Sequence, residues 1–215
     1  MPARTVPLVN QEYYHIVNRG VAKMPIFLTQ RDYDRFVETF RYYLKKEVNK
    51  RFSISFDKDK TTGLEDQIVD VICYCLMPNH FHFLLKQNDD NGIMNFVRKV
   101  SNSYAKYFNI KYKRKGPLFE GKFKAVRVET NEQLLHISRY IHLNPLVSFI
   151  TRDLNNYKWS SYPEFLEKDN NNVCSKDIIT SQFRYLKNYE QFILDQEDYG
   201  KRLEEIKHQI LDGDS

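Results

Sequence analysis

The sequence predicts an α+β fold: a ferredoxin-like split βαβ sandwich, its antiparallel sheet covered on one face by helices, followed by a C-terminal helical extension. Two observations predict it. Runs rich in β-branched and aromatic residues alternate with runs of helical apolar spacing, in the order strand, helix, strand, strand, helix, strand, helix. Past about residue 150 the pattern changes to polar connections and short helical stretches, which divides the chain into a domain over 1–165 and an extension over 166–215.

The first strand is read in EYYHIVNRGV (12–21), and a helix in TQRDYDRFVETFRYYLKK (29–46). Thr29 stands at the N-cap with Asp32 in the capping-box acid position, and Phe36, Phe40 and Tyr43 form the helix's apolar stripe. RFSISF (51–56) alternates as a strand, DKDKTTGLED (57–66) is a polar turn, and QIVDVICYCL opens a second long strand. A helix from Gly92 to about Phe108 sets Ile93, Phe96, Val97 and Val100 on one face. The basic loop KYKRKGPLFEGK precedes a strand over 123–128. Thr130 then caps a helix over NEQLLHISRYIHL, which should stop before Pro145 because the ring disfavours a helical residue ahead of it. DNNNVCSKD (169–177) reads as a polar linker, and Tyr199, Leu203, Ile206 and Ile210 as the stripe of a final helix.

Composition bounds the function. Hydrophobic residues at 41% and charged residues at 28% describe an ordinary soluble globular chain, with 15 Tyr and 15 Phe against one Trp. No run approaches the ~20 apolar residues a membrane span needs, and the N-terminal stretch has no signal-peptide core. Cys73, Cys75 and Cys174 follow no disulfide framework, so a reducing cytoplasm is expected, with association to the nucleoid. The net charge of +5 is uneven: residues 98–127 hold ten basic residues and one acid, leaving the rest of the chain at −4. That concentration suggests a polyanion footprint.

LMPNHFHFLLK (76–86) carries two histidines one residue apart. Residues two apart on a strand share a face, so His80 and His82 project together while Phe81 and Phe83 enter the opposite layer. Two imidazoles side by side can chelate a divalent ion. Pro78 and Asn79 suggest an edge strand or a bulge. A zinc site of Cys73, Cys75, His80 and His82 is the rival and needs a turn at Pro78. A polar stripe on a neighbouring helix would complete a metal site. Gln133, His136, Tyr140 and Asn144 lie on one arc of the 131–144 helix, beside the apolar arc of Leu134, Ile137 and Ile141. A phenol beside a third ligand could attack a phosphoryl group that the ion polarises.

CLMPNHFHFLLK, KYKRKGPLFEGKFKAVRV and HISRYIHLNPL resemble, in order and spacing, the single-tyrosine transposases of the His-hydrophobe-His class, of insertion-sequence-200 and REP-associated type. YHIVNRGV and WSSY (159–162) are similar too, so the resemblance spans roughly residues 11–165. It implies a single-stranded DNA nuclease and strand transferase acting on palindromic or hairpin DNA. Tyr140 would be the nucleophile that forms a 5′-phosphotyrosine, and His80, His82 and Asn144 would hold Mg²⁺ or Mn²⁺. Asn144 stands where the insertion-sequence relatives have a glutamine. Arg19, Lys111, Lys113, Arg114, Lys115, Lys122, Lys124 and Arg139 are the candidate DNA contacts, with Tyr104, Tyr107, Phe108, Tyr112, Phe119 and Phe123 offering faces for base stacking. Two other classes stay open, a DNA-binding regulator of the same fold without cleavage activity and a zinc-stabilised interaction module; a homodimer is left open as well.

Overall fold

The computed structural model describes residues 7–46, 52, 67–169 and 172–197. Four strands, β1 (Tyr13–Arg19), β2 (Val69–Met77), β3 (His80–Gln87) and β4 (Lys124–Val128), form one sheet in the order β2-β3-β1-β4, each neighbouring pair antiparallel. Helix α1 (Gln30–Tyr43) joins β1 to β2, and α2 (Gly92–Lys111) joins β3 to β4. Both crossovers link parallel strands that flank an antiparallel one, which is the split βαβ arrangement the sequence predicts. The strand expected over 51–56, the turn over 57–66 and the final stripe from Tyr199 lie outside the described residues, apart from buried Phe52.

Crossovers of one hand place α1 and α2 on the same face. Phe36 meets Phe81 with ring centres 5.1 Å apart, and Phe40 and Phe96 meet Phe83 at 5.3 and 5.9 Å. The capping box forms as read, Asp32 accepting the backbone N–H of Thr29 at 2.9 Å. Helix α3 (Asn131–Val147) differs from the expectation of one covered face: it lies on the other side of the sheet, mainly against β2. It follows the last strand and connects no two strands, so the crossover rule leaves it free to cover the face α1 and α2 leave open. It also runs through Pro145 to Val147. Pro145 sits in the last turn, where its missing N–H deletes a single helical bond, and burial of every residue from Ile141 to Leu146 outweighs that loss.

The expected long strand is a hairpin. Pro78 and Asn79 form its turn, so the histidine pair begins a central strand rather than an edge. The loop after β1 fixes this turn: Pro78 O accepts from Ile26 and Phe27, and Asn79 O accepts from Gly20 at 2.8 Å. Gly20 is required there, since a Cβ would stand 2.1 Å from the Met24 carbonyl oxygen.

Beyond α3, residues 159–161 line the outer edge of β2, with Leu76 N–H donating to Trp159 O and Ser161 N–H to Tyr74 O. The expected linker continues along that edge instead of standing off in solvent. Val173 and Cys174 are buried and donate their N–H groups to Glu164 Oε1 at 2.9 and 2.8 Å, and Ser175 donates to Val71 O. A polar-looking stretch is thereby held by unpaired edge groups that its composition does not reveal. Helices α4 (Tyr162–Phe165), α5 (Asp177–Thr180) and α6 (Leu186–Leu194) complete the described chain. Among the described residues no helix is long and apolar enough to cross a membrane.

Candidate active site

Alternation on β3 separates two kinds of side chain. Phe81 and Phe83 point to α1 and α2, while His80 and His82 point to α3, their ring centres 4.8 Å apart. His80 Nδ1 lies 2.6 Å from Asn79 Oδ1, to which it donates. His82 Nδ1 lies 2.9 Å from His15 Nε2, with the ring centres 5.2 Å apart and the planes 20° apart. His15 reaches His82 diagonally across the β1–β3 ladder, since its direct partner is Leu84. Burial, then His80 and His15, hold the His82 imidazole well below its usual range; burial alone pushes His15 down to about 4. Both rings are neutral at neutral pH.

Helix α3 supplies the other side. Tyr140 crosses His82 edge-on at 5.4 Å and His15 at 5.9 Å, with 52% of its surface exposed. One turn on, the Asn144 amide nitrogen is 3.4 Å from His82 Nε2, and Asn144 is buried. The i, i+4 spacing read from the sequence thus brings a half-exposed phenol and a buried amide to one imidazole. The rest of that polar arc stays away: Gln133 closes the helix start by accepting from Glu129 N–H, and exposed His136 faces Glu132.

His80 and His82 open into a cleft of about 400 Å³ rimmed by Arg19, Lys23, Lys122 and Lys124, with Glu120 paired to Arg19. The other basic candidates lie elsewhere. Lys111 turns to Asp32, which has no exposed surface, at 2.6 Å. Burial raises the Asp32 carboxyl, but bonds from Lys111, Tyr112, Leu28 N–H and Tyr107 outweigh it and hold the group at about 2. Lys113, Arg114 and Lys115 follow α2 in a loop, Arg114 bonded to Asn109. Arg139 lies over the Phe192 ring at 3.6 Å, on the α3–α6 contact. The stacking faces read from the sequence divide by burial, with Tyr107, Tyr112 and Phe123 only partly buried. Tyr104 and Phe108 are fully buried on the core face of α2, Phe119 is buried under the β1 end, and Tyr107 and Tyr112 bond to Asp32. Their helical spacing is core spacing.

The turn that a zinc site would need at Pro78 exists, and it sets Cys75 opposite His82. Yet the described residues contain no cluster of three or more His, Cys, Asp or Glu able to hold a metal, and burial pushes the Cys73 and Cys75 thiols up. The donors that do converge are two imidazoles and one amide. His80 Nδ1 is engaged by Asn79 and His82 Nδ1 by His15. That set suits a divalent ion with positions left for phosphate oxygens and water.

Sequence reasoning missed three residues here. His15 and Asn79 engage the two imidazoles, and Lys23 joins the cleft rim. The signal for His15 was its strand parity, but only the ladder register shows which ring it meets.

Residues 61–144 match the family described as "Transposase IS200 like". That match takes in the motifs around His80 and Tyr140, which resemble those of the single-tyrosine members of this class. More particularly, the chain is similar in fold to a REP-associated tyrosine transposase solved bound to a REP hairpin, with a TM-score of 0.56 at 10% identity over 78% of this chain and 87% of that one. A putative transposase from Deinococcus radiodurans R1 aligns at 15% identity over 66% of this chain and 95% of that one, with a TM-score of 0.39. No curated protein matches the chain by sequence.

Proposed function

We propose that this protein cleaves and rejoins single-stranded DNA at hairpin-forming sequences, with Tyr140 as nucleophile and His80, His82 and Asn144 as ligands of Mg²⁺ or Mn²⁺. The observation that carries the reading is the meeting of a half-exposed Tyr140 hydroxyl-bearing ring, two imidazoles and Asn144 beside a cationic cleft. The ion, when bound, would act as a Lewis acid on the scissile phosphate. Tyr140 Oη attacks phosphorus and gives its proton to solvent, which its exposure admits. The bond from phosphorus to the 3′ oxygen breaks, that oxygen takes a proton, and the 5′ end stays on the tyrosine as a phosphodiester. Attack by a different 3′ hydroxyl reverses these steps and joins a new strand. Arg19, Lys23, Lys122 and Lys124 neutralise neighbouring phosphates. The hairpin bound by the structurally similar REP-associated transposase supports DNA of this shape as the substrate.

Incubation with a hairpin oligonucleotide and Mn²⁺ is expected to yield a covalent protein–DNA adduct that disappears in Tyr140→Phe and in His80→Ala. Salt-dependent DNA binding with no adduct under any divalent ion would instead identify a regulator that keeps the fold without the chemistry.

A further inference from the structure

The proposed centre contains a residue, His15, that is not among those lining the cleft. His15 Nε2 and His82 Nδ1 are 2.9 Å apart, a hydrogen-bond distance, so one proton lies between them. Two arrangements are available. Either His82 Nδ1–H donates to His15 Nε2, or His15 Nε2–H donates to His82 Nδ1. The second would put a hydrogen on His82 Nε2, the atom directed at Asn144 and the cleft. There it would confront the Asn144 amide nitrogen, itself a donor, at 3.4 Å. The first leaves Nε2 as an acceptor and makes that contact favourable.

We infer that His15 is a positioning residue: by accepting the His82 Nδ1–H it fixes the tautomer in which His82 Nε2 offers its lone pair to the cleft. The geometry suits that task. The two ring planes lie within 20° of each other, which lets the in-plane N–H of one ring meet the in-plane lone pair of the other and resists rotation of the His82 ring. His15 is anchored in the middle of β1, with β3 on one side and β4 on the other. The same ring supports Tyr140 edge-on at 5.9 Å, so one side chain sets both the ligand's tautomer and the floor beneath the phenol. On His80, Asn79 does the equivalent by accepting the Nδ1–H at 2.6 Å. The ligand consequence rests on the proposed metal centre; the tautomer does not.

Long-range ¹H–¹⁵N imidazole spectra of the metal-free protein read the tautomer directly. The unsubstituted protein should show His82 protonated at Nδ1. His15→Leu should shift His82 toward the Nε2–H form, and His15→Gln, whose amide oxygen can accept, should restore Nδ1–H. Mn²⁺ affinity measured by calorimetry without DNA should weaken about 10- to 100-fold in His15→Leu and recover in His15→Gln. His82 protonated at Nε2 in the unsubstituted protein would overturn the inference even if His15→Leu failed to fold. So would an unchanged tautomer and Mn²⁺ affinity in a folded His15→Leu. If the unsubstituted protein bound no Mn²⁺ but the tautomer followed the substitutions, the positioning role would stand and the metal centre would fall.

Discussion

The two faces of β3 are built from alternate residues of one strand and do opposite things. Phe81 and Phe83 enter a layer of aromatic rings under α1 and α2. His80 and His82, one residue removed, meet a helix that covers them with a half-exposed phenol and an amide. Crossover geometry explains the division. The helices bound into the split βαβ unit share a face and seal it. The helix outside the unit lies on the other face, the one that carries His80, His82 and the cleft they line. A similar contrast separates His82 from His142, both buried on the α3 side. His142 has each nitrogen 2.7 Å from a hydroxyl, Tyr189 Oη and Ser161 Oγ, and burial pushes it down to about 3. Both its nitrogens are consumed in tying α3 to α6 and to the strip along β2. His82 has one nitrogen tied to His15 and the other within 3.4 Å of Asn144, and that difference separates the proposed ligand from a strut.

Neighbouring substitutions on β3 should dissociate the two faces. His82→Ala is expected to abolish adduct formation, a loss of about a thousandfold or more, while costing about 1 kcal/mol of stability for one hydrogen bond. Phe83→Ala should cost about 4 kcal/mol in urea denaturation and keep adduct formation in the protein that remains folded. Loss of both properties in both variants would dissolve the distinction. His142→Ala should cost about 3 kcal/mol, a cavity plus two lost bonds, and act on activity only through stability.

Asp32 sharpens the contrast from the sealed face. Its carboxyl is held at about 2, below its unfolded value near ~3.9, so the ionised form is favoured on folding. That stability is present above about pH 4 and is lost as pH falls through about 2. A denaturation series across this window should show a smaller acid loss in Asp32→Asn. The smallest effect belongs to the cleft rim. Lys122→Ala and Lys124→Ala should each lower the slope of log K against log salt for DNA binding by about 1, while Lys111→Ala, whose ammonium faces Asp32, should leave it unchanged.

Much of this was legible in the sequence because it is periodic. Strand parity separated His80 and His82 from Phe81 and Phe83, and the 3.6-residue helical period put Tyr140 and Asn144 on one arc. The hairpin turn at Pro78 was not legible, because the apolar run continues on both sides of it. Nor was the position of α3, which depends on which face the crossovers leave open. Charge alone does not show which cations tertiary contacts engage: Lys111 lies against Asp32 and Arg139 over Phe192. His15 lay in a recognised strand, and only the register joins it to His82.

The central claim is that one phenol, Tyr140, is the atom source for a covalent link to DNA at the His80–His82 cleft. Protease digestion and mass spectrometry of protein trapped on a hairpin substrate with Mn²⁺ would identify the linked residue. The account predicts a nucleotide adduct on the peptide carrying Tyr140, attached through its 5′ phosphate. An adduct on any other tyrosine, or cleaved DNA with no protein attached, would contradict it.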